Sequence, residues 1–207
     1  MRIAILIILA LAGSACRHAP HRIPDLETLL AIPSDGSPWR LQVQHREIQA
    51  VTIGIPRHTV PSALARQAQS LLPDAHQGYS GREWGPQGSG YRLEFLRQSG
   101  EFEELHSLLL EPSGAVLDYR RSAPLRLVPV AVLGTALTIG PQIEQAQVCT
   151  AGTSTHVWHC TVIDAQGRRH ISTIAPDGDL VSLHQIVPAE IHWQAEPRRQ
   201  NDPSGEL

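Results

Sequence analysis

Eleven His and three Cys residues are the first places to look for chemistry in this 207-residue chain. The tightest imidazole group is His156, His159 and His170. In an extended segment His156 and His159 are an odd number of residues apart, so they point to opposite faces and cannot readily share an ion. Glu104 and His106 do share a face on a predicted strand, but two ligands without a third make a weak metal site. Glu103 and Glu104 are neighbours that point apart, so they cannot flank a bond as glycosidase acids must. Ser154 and His156 have the residue types of a nucleophile and its base. Their segment, Gly152-Thr153-Ser154-Thr155-His156, reads as a flexible hairpin turn without the strained elbow and oxyanion donors of a triad. All 17 basic residues are Arg, which removes the amine required by Schiff-base chemistry and by a P-loop. The expectation is a protein with no catalytic residues, no metal ligands and no cofactor.

Charge narrows the partners. Seventeen basic residues against 20 acidic ones offer no basic surface to neutralise phosphates, which argues against nucleic acid as a partner. The first 15 residues have the order of an export leader: Met1-Arg2, an apolar run from Ile3 to Ala12, then Gly13-Ser14-Ala15 before Cys16. The run is too short to span a bilayer as a helix. Small residues directly before a Cys resemble the bacterial lipobox, in which that Cys becomes the N-terminus and carries lipid. The resemblance implies that Cys16 is an anchor. Arg17 after it carries no inner-membrane retention signal, which implies an outer-membrane lipoprotein facing the periplasm. Ordinary cleavage at the same bond, releasing a soluble protein, is the alternative. Cys149 and Cys160 remain, at a spacing that suits neighbouring strands of a hairpin. An oxidising compartment favours joining them as a structural disulfide. Neither lies in a Cys-x-x-Cys turn, which argues against a redox pair.

Positioning these residues falls to elements that recur. Val60-Pro61 returns as Val128-Pro129, Pro73 as Pro141, Tyr91 as Trp158, Gly100 as Gly167, and Pro112-Ser113-Gly114 as Pro176-Asp177-Gly178, always in the same order. Apolar Leu64, Ala65, Ala68, Leu71 and Leu72 stand at helical spacing, with Thr59 as candidate cap and Pro73 as stop. A second helix is expected over 129–139, ended by Gly140-Pro141. After each helix the period changes to two, with turns at Ser99-Gly100, 112–114, Gln166-Gly167 and 176–178. A short helix over 25–31 and a hairpin-like pair over 39–45 and 47–55 precede the first copy. The expected fold is α+β: two tandem repeats, each one helix packed on an antiparallel four-stranded meander. The expected boundaries are a leader at 1–15, a tether and short helix at 16–37, a first unit with its hairpin at 38–122, a second unit at 123–193, and a loose tail at 194–207.

Each unit resembles a PepSY-like domain, the helix-plus-meander module also found doubled in the beta-lactamase inhibitor protein. The Pro-opened helix ending in Leu72-Pro73-Asp74-Ala75, the strand Gly90-Tyr91-Arg92-Leu93-Glu94-Phe95 and the Pro-x-Gly turn before the last strand carry the resemblance. The second unit departs from it in having Gly140 where Leu is expected. The resemblance implies binding, often inhibition of an extracytoplasmic enzyme. Tyr79, Arg82 and Trp84, among Gly78, Gly81, Gly85 and Gly88, read as a loop that either covers the core or anchors a partner. The expected function is a lipoprotein that binds and inhibits another envelope or secreted protein, including an immunity protein against a wall-cutting toxin. The alternative is a structural lipoprotein within a larger assembly; a hydrolase ranks third.

Overall fold

Tyr91, Leu93 and Phe95 alternate with Arg92 and Glu94, so an extended chain here has one apolar and one charged face. That two-sided character recurs along the chain and decides the architecture. A computed structural model of the protein describes residues 3–11, 22–44, 47–150 and 156–191. The strands are β1 (Ile3–Leu11), β2 (Trp39–Gln44), β3 (Glu47–Gly54), β4 (His76–Gly85), β5 (Gly88–Ser99), β6 (Phe102–Leu110), β7 (Val116–Ala123), β8 (Gln142–Thr150), β9 (His156–Ile163), β10 (Arg169–Ile174) and β11 (Leu180–Ile191). From β2 to β11 each strand pairs antiparallel with the next, giving one curled ten-stranded sheet. β1 closes it, antiparallel to β11 and parallel to β2. The apolar run read as a leader thus takes the form of a strand over Ile3–Leu11. A short uninterrupted apolar run suits a strand as well as a leader.

This corrects the expected fold class. The helices and meanders fall near the expected positions, but they do not form two four-stranded units. β7 pairs with β8 from Tyr119↔Thr150 to Ala123↔Ala146, and β3 pairs with β4 from Val51↔Trp84 to Gly54↔Gly81. Strand edges that would have bounded separate units are therefore consumed by one continuous sheet, which removes the unpaired edges two modules would leave.

Three short helices, α1 (Leu26–Leu30), α2 (Ser62–Leu71) and α3 (Val130–Ile139), cover the outer face over three apolar clusters. Under α2, Leu64 and Ala68 meet Leu93, Phe95, Leu108 and Leu110. Under α3, Val132 and Ala136 meet Ala146, Cys160, Val162 and Ile174. Leu29 of α1 packs with Trp39, Leu41, Val51, Ile53 and Trp84. Each fully buried Leu or Phe contributes about 1.5–3 kcal/mol relative to exposure. Thr59 does not cap α2; its hydroxyl donates to the Pro56 carbonyl within a 3-10 turn, and Pro61 occupies the cap position. Gly140 ends α3 against the Ile163 carbonyl, where a Cβ would collide with backbone. Close approach therefore explains why Leu is absent there. Among the described residues no helix is long and apolar enough to cross a membrane.

Candidate binding site on the concave face

With helices covering the apolar face, alternate residues of β2 to β11 point into the curl. They enclose a cavity of about 500 Å³ lined by Arg40, Glu83, Arg92, Glu94, Glu144 and Arg169 among others. Among these residues Arg92 is buried, only 4 % exposed. The Arg92 guanidinium donates from Nε and Nη2 to the two Glu83 carboxylate oxygens at 2.9 and 2.8 Å. Nη1 donates to Asp118 Oδ2 at 2.8 Å, and Arg120 Nε reaches that same oxygen at 2.7 Å. Strand register builds this cluster: Arg92 lies opposite Leu109 of β6 and Gly81 of β4. A planar fork that engages one carboxylate with two bonds and a second with one is the geometry Arg provides and Lys cannot.

Burial alone would raise both carboxyls, but Arg92 at Glu83, and Arg120 with Arg92 at Asp118, outweigh it and hold both below their ordinary values. Both are therefore ionised at neutral pH. Arg40 faces Glu94 at 3.7 Å and Arg169 meets Glu144 at 2.8 Å; here the guanidinium side chains are about half exposed, 47 % and 58 %. A fixed charge cluster is thus flanked by two pairs open enough to exchange partners. His159 shares the cavity, and burial, with Arg120 nearby, pulls its imidazole down to about 3, so it is neutral. Burial pushes the Cys149 thiol up to about 12, which leaves it protonated and unreactive at neutral pH.

The expected disulfide does not form. Cys149 and Cys160 are free thiols on neighbouring strands β8 and β9. Cys149 pairs with Val157, and the odd step from Val157 to Cys160 turns the second side chain to the opposite face. Cys160 lies in the core beneath α3, whereas Cys149 lies toward Arg120 and Asp118. A bond would have to pass through the sheet.

The three residues read as a partner-binding loop belong to strand β4 and divide between its faces. Trp84 is 8 % exposed and packs with Trp39 and Ile53, so it is core and cannot serve as an anchor. Arg82 lies on the same outer side, with its guanidinium 5.1 Å from the Trp84 ring centroid and 4.3 Å from that of Tyr91. Tyr79 stands on the inner face beside Arg40, which lies 5.2 Å from its ring centroid. Its buried hydroxyl has no hydrogen-bond partner among the described residues, and burial pushes its pKa up to about 12.

The imidazoles do not converge either. His159 faces the cavity, His170 hydrogen-bonds Asp164 at 2.9 Å on the outer side, and His156 is exposed. Glu104 and His106 share a face as read, in a chain where Arg97 meets Glu104 at 2.7 Å. His106 then joins Glu104 through Nε2 at 3.1 Å and Tyr119 through Nδ1 at 2.8 Å. Among the described residues no three or more His, Cys, Asp or Glu side chains group as metal ligands. Cys16, Ser154 and the 194–207 tail lie outside the described residues. No motif in the sequence marks Arg92, Asp118 or the cavity; the signal it does carry is charge at every second position between core residues. Comparison with known proteins finds no matching family model, no matching curated protein and no matching solved structure.

Proposed function

We propose that this chain is a lipid-anchored envelope protein, held through Cys16, that binds another protein against the concave face of its sheet and inhibits it. The observation that carries this reading is the Arg92–Glu83–Asp118–Arg120 cluster flanked by the half-exposed Arg40–Glu94 and Arg169–Glu144 pairs. Groups whose bonds are already spent on one another recognise rather than react, and a prearranged field of both signs supplies register and specificity. Arg40 and Arg169 can each trade an intramolecular carboxylate for one on the partner at small net cost, since exposed pairs contribute about 0–1 kcal/mol.

Site-specific photo-crosslinking in intact envelopes tests this. Probes at Gln42 and Thr161 on the inner face should capture one protein, and a probe at the exposed Leu137 on α3 should not. Arg169→Glu should reduce capture at least tenfold. If the captured protein is a hydrolase, adding purified chain should suppress its activity. Capture from α3 alone would refute the concave-face reading.

A further inference from the structure

Strand β1 is held on both sides. Nine of its residues pair antiparallel with β11, from Ile3↔Ile191 to Leu11↔Leu183, and six pair parallel with β2, from Ile5↔Trp39 to Ala10↔Gln44. β2 and β11 therefore stand two strand spacings apart, about 9–10 Å. The reading under "Proposed function" removes residues 1–15 on export, and the present inference rests on it. Removal leaves two facing rows of backbone N–H and C=O groups, each needing a partner. Two residues guard these edges, Arg40 on β2 and Pro188 on β11, and Leu180–Val187 of β11 carries no acidic or basic side chain other than His184. Direct pairing of β2 with β11 would narrow the barrel by one strand around a lumen already holding Arg92, Glu83 and Arg120.

We infer that the mature protein accepts one extended segment of its partner between β2 and β11, the leader occupying that slot only in the precursor. Strand addition at a two-sided gap gives affinity through main-chain bonds and specificity through alternate side chains. The slot specifies the alternation. Trp39 and Leu41 are buried toward α1, with Val43 half-buried beside them, whereas Arg40 and Gln42 open to the cavity. The incoming segment is thus at least six residues long, apolar beside Trp39, Leu41 and Val43, and acidic beside Arg40. That β1 itself, a fully apolar nine-residue segment, lies here as a strand establishes the width and direction of the site.

The test uses protein recovered from envelopes in detergent, with intact mass determined first. Amide hydrogen exchange over 39–44 and 180–188 is followed with a peptide copying residues 3–11, flanked by arginines for solubility, and with the same peptide N-methylated at alternate residues. The plain peptide should slow exchange in both strands at least tenfold and the methylated one should not. An alternating peptide with Glu at the position beside Arg40 should bind about tenfold tighter than its Arg counterpart, and Arg40→Glu should reverse that order. The inference is overturned by equal effects of the plain and methylated peptides, or by no effect at millimolar peptide. Protection without peptide, whether from direct β2–β11 pairing, the chain's own tail or a dimer seen by light scattering, overturns it too. So does the absence of a Glu preference. A mass that retains residues 1–15 overturns the anchoring reading and this inference together, whereas failure with the leader gone overturns this inference alone.

Discussion

Replacing Arg92 by Met removes a guanidinium that is 4 % exposed and leaves Glu83 and Asp118 facing each other inside the curl. Arg120 still reaches Asp118 at 2.7 Å, so Glu83 bears most of the loss. Breaking a buried pair by deleting one partner costs about 3–5 kcal/mol, chiefly as an uncompensated charge. The size should depend on pH in a defined direction. In the native protein both carboxyls titrate below their ordinary values, so their contribution is present at neutral pH and is lost as pH falls through the unfolded and then the folded pKa. In Arg92→Met, burial acts on Glu83 without its guanidinium and raises the carboxyl, so protonation now favours the folded state. The stability gap between the two proteins should therefore narrow by about 1–2 kcal/mol between pH 7 and pH 5. Urea unfolding at both pH values, with matched m-values, measures the gap. A gap below about 1 kcal/mol at pH 7, or one that does not change with pH, would show that the cluster is solvated and refute its role as a fixed charged platform.

Other consequences follow from the same geometry. Trp84→Ala should destabilise by about 3–5 kcal/mol in urea unfolding, because the ring fills the cluster with Trp39 and Ile53. His159 is neutral when folded, with its pKa lowered to about 3 by burial. The unfolded chain takes up a proton near 6.5 that the folded protein refuses, so stability falls with pH. Comparing native and His159→Gln proteins at pH 7 and pH 5 should show about 2 kcal/mol less acid loss in the variant. Cys149 and Cys160 should both react with a maleimide only after denaturation, without any reductant, as two buried free thiols must. Cys16→Ser should move the protein from the membrane fraction to the soluble one; retention in membranes would refute the lipid anchor.

How much could be read from the chain depended on whether the cause was local. Asp25 caps α1 by accepting from the Thr28 N–H at 2.8 Å, and positive-φ Gly100, Gly114, Gly167 and Gly178 make the turns that the Gly-containing pairs announced. Failures came where the cause was register. Four glycines around Tyr79 and Trp84 give this stretch the composition of a loop. Gly81, however, is a strand residue whose missing Cβ makes room for the Tyr79 hydroxyl, which a Cβ would approach to 2.7 Å. The spacing of Cys149 and Cys160 suits a disulfide across a hairpin, yet only the β8–β9 register decides which faces they occupy.

The charged stripe of β5 shows why the site itself was hidden. Arg92 and Glu94, set between Tyr91, Leu93 and Phe95, have the pattern of a sheet with one face in water, and in a flat sheet that is where they would be. What places them indoors is the continuation of pairing through β7 and β8, which lets one sheet curl until its polar face confronts itself. No window of sequence around Arg92 contains that information, because it depends on strands up to β11. An inward polar face also changes what a substitution does. Exposed, Arg92 would contribute about 0–1 kcal/mol and could be exchanged freely; enclosed between Glu83 and Asp118, it couples three strands. It follows that double-mutant cycles between Arg92 and Asp118, 26 positions apart, should yield a coupling of about 1–3 kcal/mol, and a value near zero would mean that the curl is open to solvent.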